Sequence, residues 1–339
     1  MTTGSYSFEL NNAARKFLAE VMLVEPGEEV LTTIDTTADW RVAMAISQAA
    51  YALGARPVIV LYETQARPQM EPPAVVAGAI AKADVWIDLA VQYILYTRAR
   101  EAATSNGCRH ACLSGMTANS FVSTIGSVDY PRMLAFGDEL AAMLNRAGEI
   151  KVTSHAGTDL VGQLRGNAFQ AGGIGDHKGA LVMLGGQVGF LPVEESIHGK
   201  VVVDGEIWPP VEIGILKETV ELSIEAGMIR EVLGSSEASI FRRWLDGFRD
   251  PNLYHMAHYA YGFNPGVAKL TGSIVEDERI FGVITFGFGT SNERKAATHS
   301  DCIVLHPTVF LDGVEIERDG RFTSPSLVEH CRAMQVSGY

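Results

Sequence analysis

Residues 56–62 read Arg-Pro-Val-Ile-Val-Leu-Tyr (RPVIVLY), apolar at consecutive rather than alternate positions. So short an apolar run fits a strand buried on both faces better than a helix, which needs more length. Upstream, Glu29 to Ile34 (EVLTTI) is a second β-branched run. Asp35 and Thr36 after it offer capping oxygens for a helix to about Leu53, where Gly54 ends it. Downstream, Pro72-Pro73 opens a helix to about Lys82, and Val85 to Leu89 follows as a strand. A helix at Tyr93 to Ser105, a strand at Arg109 to Ser114 and a helix at Pro131 to Arg146 complete the pattern. Strands separated by such helices predict parallel pairing, hence an α/β, Rossmann-like domain over residues 1–149. Neither a Gly-x-Gly-x-x-Gly nor a P-loop pattern occurs, and Gly173-Ile-Gly175-Asp-His177-Lys-Gly179 has the wrong spacing for cofactor phosphates.

After about Glu149 the texture changes. Lys151 to Leu160, Ala180 to Val188, Lys200 to Val203, Glu212 to Ile224 and Phe281 to Phe286 read as strands. Turn signals at Asp204-Gly205, Ala226-Gly227 and Asp312-Gly313 punctuate them. One helix, Ser236 to Phe248, interrupts these strands, and a terminal helix begins at Ser324-Pro325. Residues 150–339 are therefore expected to form a mostly antiparallel, β-rich domain that carries the metal and the chemistry.

A chain of 339 residues exceeds what one core usually serves, which agrees with two domains. The formal charge of −13, with no local cluster of Lys and Arg, excludes nucleic acid as an expected partner. No run approaches the roughly 18 apolar residues of a membrane span. Met1 to Glu9 lacks a basic start followed by an apolar stretch, so no signal peptide and a cytoplasmic location are expected. Four cysteines in such a chain do not suggest a disulfide framework. Cys108-Arg-His110-Ala-Cys112 could be drawn as a metal clip, but its alternation reads better as a buried strand with cysteines as small hydrophobes.

The candidate chemistry lies in the second half. His299-Ser300-Asp301 heads an apolar run that reads as a strand, so the two outer side chains point to one side and can share a metal. Tyr254 to Pro265 (YHMAHYAYGFNP) offers His255 and His258 at an expected bend, with His258 as third ligand and His255 as a structural neighbour. Two histidines and one carboxylate leave coordination positions open, as in non-haem Fe(II) oxygenases. The glycine-rich loop Gly172 to Gly179 carries Asp176 and His177, and Leu191 to Ser196 sets Glu194 and Glu195 behind a proline. Loops of this kind place side chains at the mouth of a site. His110, His155, His198, His306 and His330 have no spacing that recommends them and read as surface or satisfied core.

Gly157-Thr158-Asp159-Leu160, Phe190 to Ser196, Val201 to Gly205, Ala257 to Pro265 and His299-Ser300-Asp301 carry a resemblance along essentially the whole chain. In that order they resemble two related groups: the thermophilic-type leucyl aminopeptidases (aminopeptidase T), which use two metal ions, and the 2,5-dihydroxypyridine 5,6-dioxygenases, which use one Fe(II). The aminopeptidases carry a glutamate where this chain has His258 and a histidine in the segment matching Gly282 to Gly287, here read as Val283. The dioxygenases carry a histidine matching His258 and then the His-x-Asp pair. The resemblance therefore implies one Fe(II) on His258, His299 and Asp301, with dioxygen and a small aromatic ring as partners. It also implies His177 as the base that takes the ring hydroxyl proton and Glu194 as a hydrogen-bonding acid, although Glu195 fits the aminopeptidase glutamate better. Tyr96 stands where the dioxygenases have a histidine, and would assist or orient the ring. Extradiol-like cleavage of 2,5-dihydroxypyridine would give N-formylmaleamate, and a homo-oligomer is expected. The alternatives are a two-metal aminopeptidase or amide hydrolase using Glu195, and a metal-free protein with a degenerate site.

Overall fold

A computed structural model of the chain describes residues 7–291 and 293–339; Met1 to Tyr6, where the targeting-signal reading begins, and Asn292 lie outside them. Two compact units share the polypeptide, one over Met1–Tyr130 and Ala171–Gly185, the other over Pro131–Gln170 and Gly186–Tyr339. This division differs from a single boundary after residue 149. From Pro131 onward the helix Tyr130–Arg146 belongs to the second unit, where Phe136 packs its ring against Phe263, Phe281 and Phe322. The strand Leu181–Met183 returns to the first unit because it pairs with Arg109–Cys112.

The first unit is built on a five-stranded parallel sheet. Its strands lie in the order Arg56–Tyr62, Glu29–Asp35, Val85–Asp88, Arg109–Cys112, Leu181–Met183. In chain order this is 2-1-3-4-5, one of the two common doubly wound orders. The strand expected to be buried on both faces is an edge strand: Val58 and Leu61 are 48% and 55% exposed. The central strand Val85–Asp88 is the one buried throughout. Consecutive apolar residues report a parallel strand without telling centre from edge.

Two helix starts also differ from expectation. The helix Trp40–Ala52 is capped by Asp39, whose Oδ1 accepts from the Arg41 amide at 3.0 Å. Asp35 instead turns its carboxylate onto the amides of Thr37 and Ala38 (3.0 Å each) and, across the sheet, of Val91 (2.9 Å). Buried Asp88 accepts from the amides of Ala90 and Ile94. These bonds hold residues 90–94 as a loop, so the helix expected from Tyr93 starts at Arg98, capped by Thr97.

Cys108, Cys112, Cys302 and Cys331 are all buried, as a core reading of the 108–112 segment requires. His110 on that segment is fully buried but not hydrogen-bonded as expected of a core histidine. Its ring stacks on Trp86 at 3.8 Å, and neither ring nitrogen has a partner among the described residues. Burial holds its pKa well below the ordinary histidine value.

The second unit contains an eight-stranded sheet, antiparallel throughout, and a seven-stranded sheet, antiparallel from Gly214–Ile215 across to Gln187–Phe190. Three runs read as single strands are each broken. Glu149–Ser154 and Asp159–Gln163 form a hairpin around Gly157, at φ +116°. Leu181–Met183 and Gln187–Phe190 lie in different sheets, separated by Gly185-Gly186. Gly214–Ile215 and Val220–Glu225 also part, because the Lys217 and Glu218 amides turn to the Glu237 carboxylate. No helix among the described residues is long and apolar enough to cross a membrane.

Candidate metal centre

Three strands of the seven-stranded sheet build the site. Met256–Gly262 and His299–Val304 flank Val283–Gly289, and both pairings are antiparallel. His258 lies within the first of these strands rather than at a bend, just after an irregularity of register between Met256 and His258. His258 is in register with Gly287, and Gly287 with Asp301, so one row crosses the three strands. The middle strand ends Phe286-Gly287-Phe288-Gly289. Its buried phenylalanines alternate with glycines, so they take the opposite face and leave the row at 287 bare.

On that bare face the side chains meet. Asp301 Oδ1 lies 3.1 Å from both His258 Nε2 and His299 Nε2, and the two Nε2 atoms are 3.2 Å apart. The imidazoles stack with centroids 5.1 Å apart and planes 17° from parallel. His299 donates its Nδ1–H to the Thr290 carbonyl at 2.8 Å, which leaves Nε2 as the lone-pair nitrogen aimed at the cluster. A loop of internal bonds fixes that carbonyl: the Thr290 amide bonds the Thr298 carbonyl, and Thr290 Oγ1 and Ala296 bond each other through backbone groups. Among the described residues, these three form the one group of His, Cys, Asp or Glu placed to hold a metal ion.

The electrostatics suit a cation. Burial opposes the charge on Asp301, yet the two imidazoles outweigh it and hold the carboxyl well below the usual carboxylate range. Burial opposes charge on His299 as well, but Asp301, the Thr290 carbonyl and Glu278 raise its pKa to about 9. A positive charge is therefore favoured where the three side chains converge, and without a metal a proton supplies it. Further carboxyls surround the site. Burial, then Asp301, pushes Glu278 up, while Gln187 donates to it at 2.5 Å and Arg279 at 3.1 Å. Glu206, on the strand next to His299–Val304, is fully buried and pushed up by burial and by the neighbouring carboxyls of Asp277 and Glu278, and neither of its carboxyl oxygens has a hydrogen-bond partner among the described residues. The donor set of two imidazoles and one carboxylate fits a divalent metal with positions left for other ligands.

The remaining sequence candidates are not members of this three-residue group. Glu194, in a single helical turn at Glu194–Ser196, is gripped by Arg294, Nη1 to Oε1 and Nη2 to Oε2 at 2.8 Å each, and takes a hydrogen bond from His255 Nδ1. Burial opposes its charge, but Arg294 and His255 outweigh it and lower its pKa. Glu195 is exposed, its carbonyl accepting from His198 at 2.9 Å. Val283 is buried beside Val267, Ile274, Ile280 and Ile303 and supplies no donor. His177 and Tyr96 belong to the first unit. His177 Nδ1 bonds Asp176 Oδ1 at 2.7 Å on an exposed loop. Tyr96 is 65% exposed at φ 59°, a left-handed conformation rare for an aromatic residue. Sequence reasoning missed Gly287 and the carboxyls Glu206, Asp277 and Glu278; the visible signal was the Phe-Gly-Phe-Gly alternation.

A family profile described as NicX, 2,5-dihydroxypyridine 5,6-dioxygenase, matches residues 10–324. A 2,5-dihydroxypyridine 5,6-dioxygenase of Pseudomonas putida is 30% identical over 217 residues. That match covers 57% of this chain and 61% of the relative, less than two thirds of the relative's length. Among solved structures, 2,5-dihydroxypyridine dioxygenase from Pseudomonas putida KT2440 has a TM-score of 0.77 at 20% identity, covering 94% of this chain and 98% of that one. Wild-type AmpT from Thermus thermophilus has a TM-score of 0.67 at 16% identity, covering 94% and 100%. These two similarities show a common fold of a parallel sheet with antiparallel β-rich sheets. With the family profile matched over nearly its whole length, the chain belongs to the NicX, 2,5-dihydroxypyridine 5,6-dioxygenase, family.

Proposed function

We propose that this chain is a ring-cleaving dioxygenase that holds one Fe(II) on His258, His299 and Asp301 and opens a small hydroxylated N-heteroaromatic ring, with 2,5-dihydroxypyridine the first substrate to try. The observation that carries the reading is the convergence of two Nε2 atoms and one carboxylate oxygen within 4.8 Å on one sheet face, in a chain of this family. Bound Fe(II) would supply the electronic route from an electron-rich ring to dioxygen at its open coordination positions.

The chain's own residues do the rest. Asp301 brings the one negative charge of the ligand set, and His299, held by the Thr290 carbonyl, presents Nε2 in a fixed direction. His177, its Nδ1 paired with Asp176, is the proposed base for the ring hydroxyl. Tyr96 is proposed to orient the ring, and Glu194 to accept a hydrogen bond from the substrate. For 2,5-dihydroxypyridine, insertion of both oxygen atoms with cleavage of the C5–C6 bond balances as N-formylmaleamate.

Anaerobically reconstituted protein should consume dioxygen stoichiometrically with 2,5-dihydroxypyridine in an oxygen electrode, and His258→Ala should abolish uptake. His177→Gln should lower kcat by about 10²–10⁴ while iron content stays that of the wild type. No uptake with any dihydroxypyridine or dihydroxybenzene would reject the activity. Full uptake by His258→Ala would reject the ligand assignment.

A further inference from the structure

We infer that Gly287 is a positioning residue of the metal centre: its missing side chain is the space in which the His258 imidazole lies. This rests on the reading that His258 binds the cation. His258 and Asp301 are in register with opposite sides of one residue, so two strand spacings separate their backbones. At about 4.8 Å per spacing the backbones stand nearly 10 Å apart. Nonetheless His258 Nε2 reaches to 3.1 Å from Asp301 Oδ1. The imidazole can do so only by crossing the middle strand, over residue 287.

The space there is fully used. A Cβ on Gly287 would stand 2.3 Å from His258 Nε2, 2.5 Å from Cδ2 and 2.8 Å from Cε1, distances that side chains do not show. The strand cannot yield, because Phe286 and Phe288 are fully buried on its other face and its neighbours pair along both edges. The Gly287 backbone is outside the left-handed region, so alanine fits its conformation and the ring alone stands in the way. A side chain at 287 and the His258 imidazole in its present place exclude each other. One consequence is that the middle strand cannot add a donor of its own in this row while His258 serves as ligand.

A double-variant cycle tests this: wild type, Gly287→Ala, His258→Ala and the double variant. Each is measured for anaerobic Fe(II) affinity and for the melting temperature of the metal-free protein. Gly287→Ala is expected to weaken Fe(II) binding by about 10- to 100-fold and to lower the metal-free melting temperature. In the His258→Ala background the same substitution should leave the melting temperature unchanged, because the ring is gone. If Gly287→Ala does not fold, recovery of folding in the double variant supports the inference, and continued failure overturns it. Wild-type Fe(II) affinity in Gly287→Ala, or an equal loss of melting temperature in both backgrounds, would also overturn it. A wild type that binds no Fe(II) would instead defeat the metal reading beneath it, an outcome the first titration alone identifies.

Discussion

His299 concentrates the charge balance of the site. Burial works against its protonation, and Asp301 wins, carrying the pKa to about 9. A histidine raised in this way lends the metal-free protein stability that is complete below the unfolded value of about 6.5 and is lost as pH rises through about 9. A metal bound through His299 Nε2 would have to displace that proton. Apparent Fe(II) affinity is therefore expected to climb from about pH 6.5 to 9, by at most about tenfold per pH unit, while the melting temperature of the metal-free chain falls over the same range. Asp301→Asn should bring the His299 titration, followed by NMR on metal-free protein, down to the ordinary value or below it. A flat affinity profile, or an unmoved titration in Asp301→Asn, would refute this balance. The His299–Asp301 pair was legible in the sequence because residues two apart in a strand share a side. His258 was legible as a donor but not in its place, since a shift of register between Met256 and His258 sets its facing.

Among the elements, the middle strand Val283–Gly289 explains why the three proposed ligands can meet at all. Local propensity reads glycine in a strand as weakness. Its use is visible only once the flanking strands and their register are known, because the space at 287 is filled from a strand some thirty residues earlier in the chain. The same limit affected the parallel sheet. RPVIVLY was legible as a strand and as a partner in parallel pairing, but spatial order decides burial, and order is set by long-range packing. The difference has a measurable consequence. Ile87→Ala, in the central strand with no exposed surface, should cost about 2–5 kcal/mol in denaturant unfolding. Leu61→Ala, on the half-exposed edge, should change stability by no more than about 0.5 kcal/mol. Equal losses at the two positions would contradict the strand order. Helix starts were misread where a buried carboxylate had other work: Asp35 and Asp88 gather the amides of residues 90–94, so no helix begins at Tyr93.

In the whole molecule, the change from alternating helix and strand to antiparallel β texture was legible, and with it the two kinds of sheet. The division of the chain was not. Pro131–Arg146 has the pattern of one more helix of the first half, but Phe136 finds its aromatic partners in the second unit. A short segment, Ala171–Gly185, crosses back to supply a fifth parallel strand. Local periodicity carries no record of such crossings. All three proposed ligands lie within the second unit, on the two strands that flank Val283–Gly289 in one sheet, so the cation reading stands on that unit alone.

Anomalous diffraction at the iron edge, from crystals grown and loaded with Fe(II) without oxygen, tests that reading most directly. One peak bonded to His258 Nε2, His299 Nε2 and an Asp301 oxygen is the expected result. A second peak bridged beside the first, or a single peak that leaves Asp301 unbonded, would contradict it.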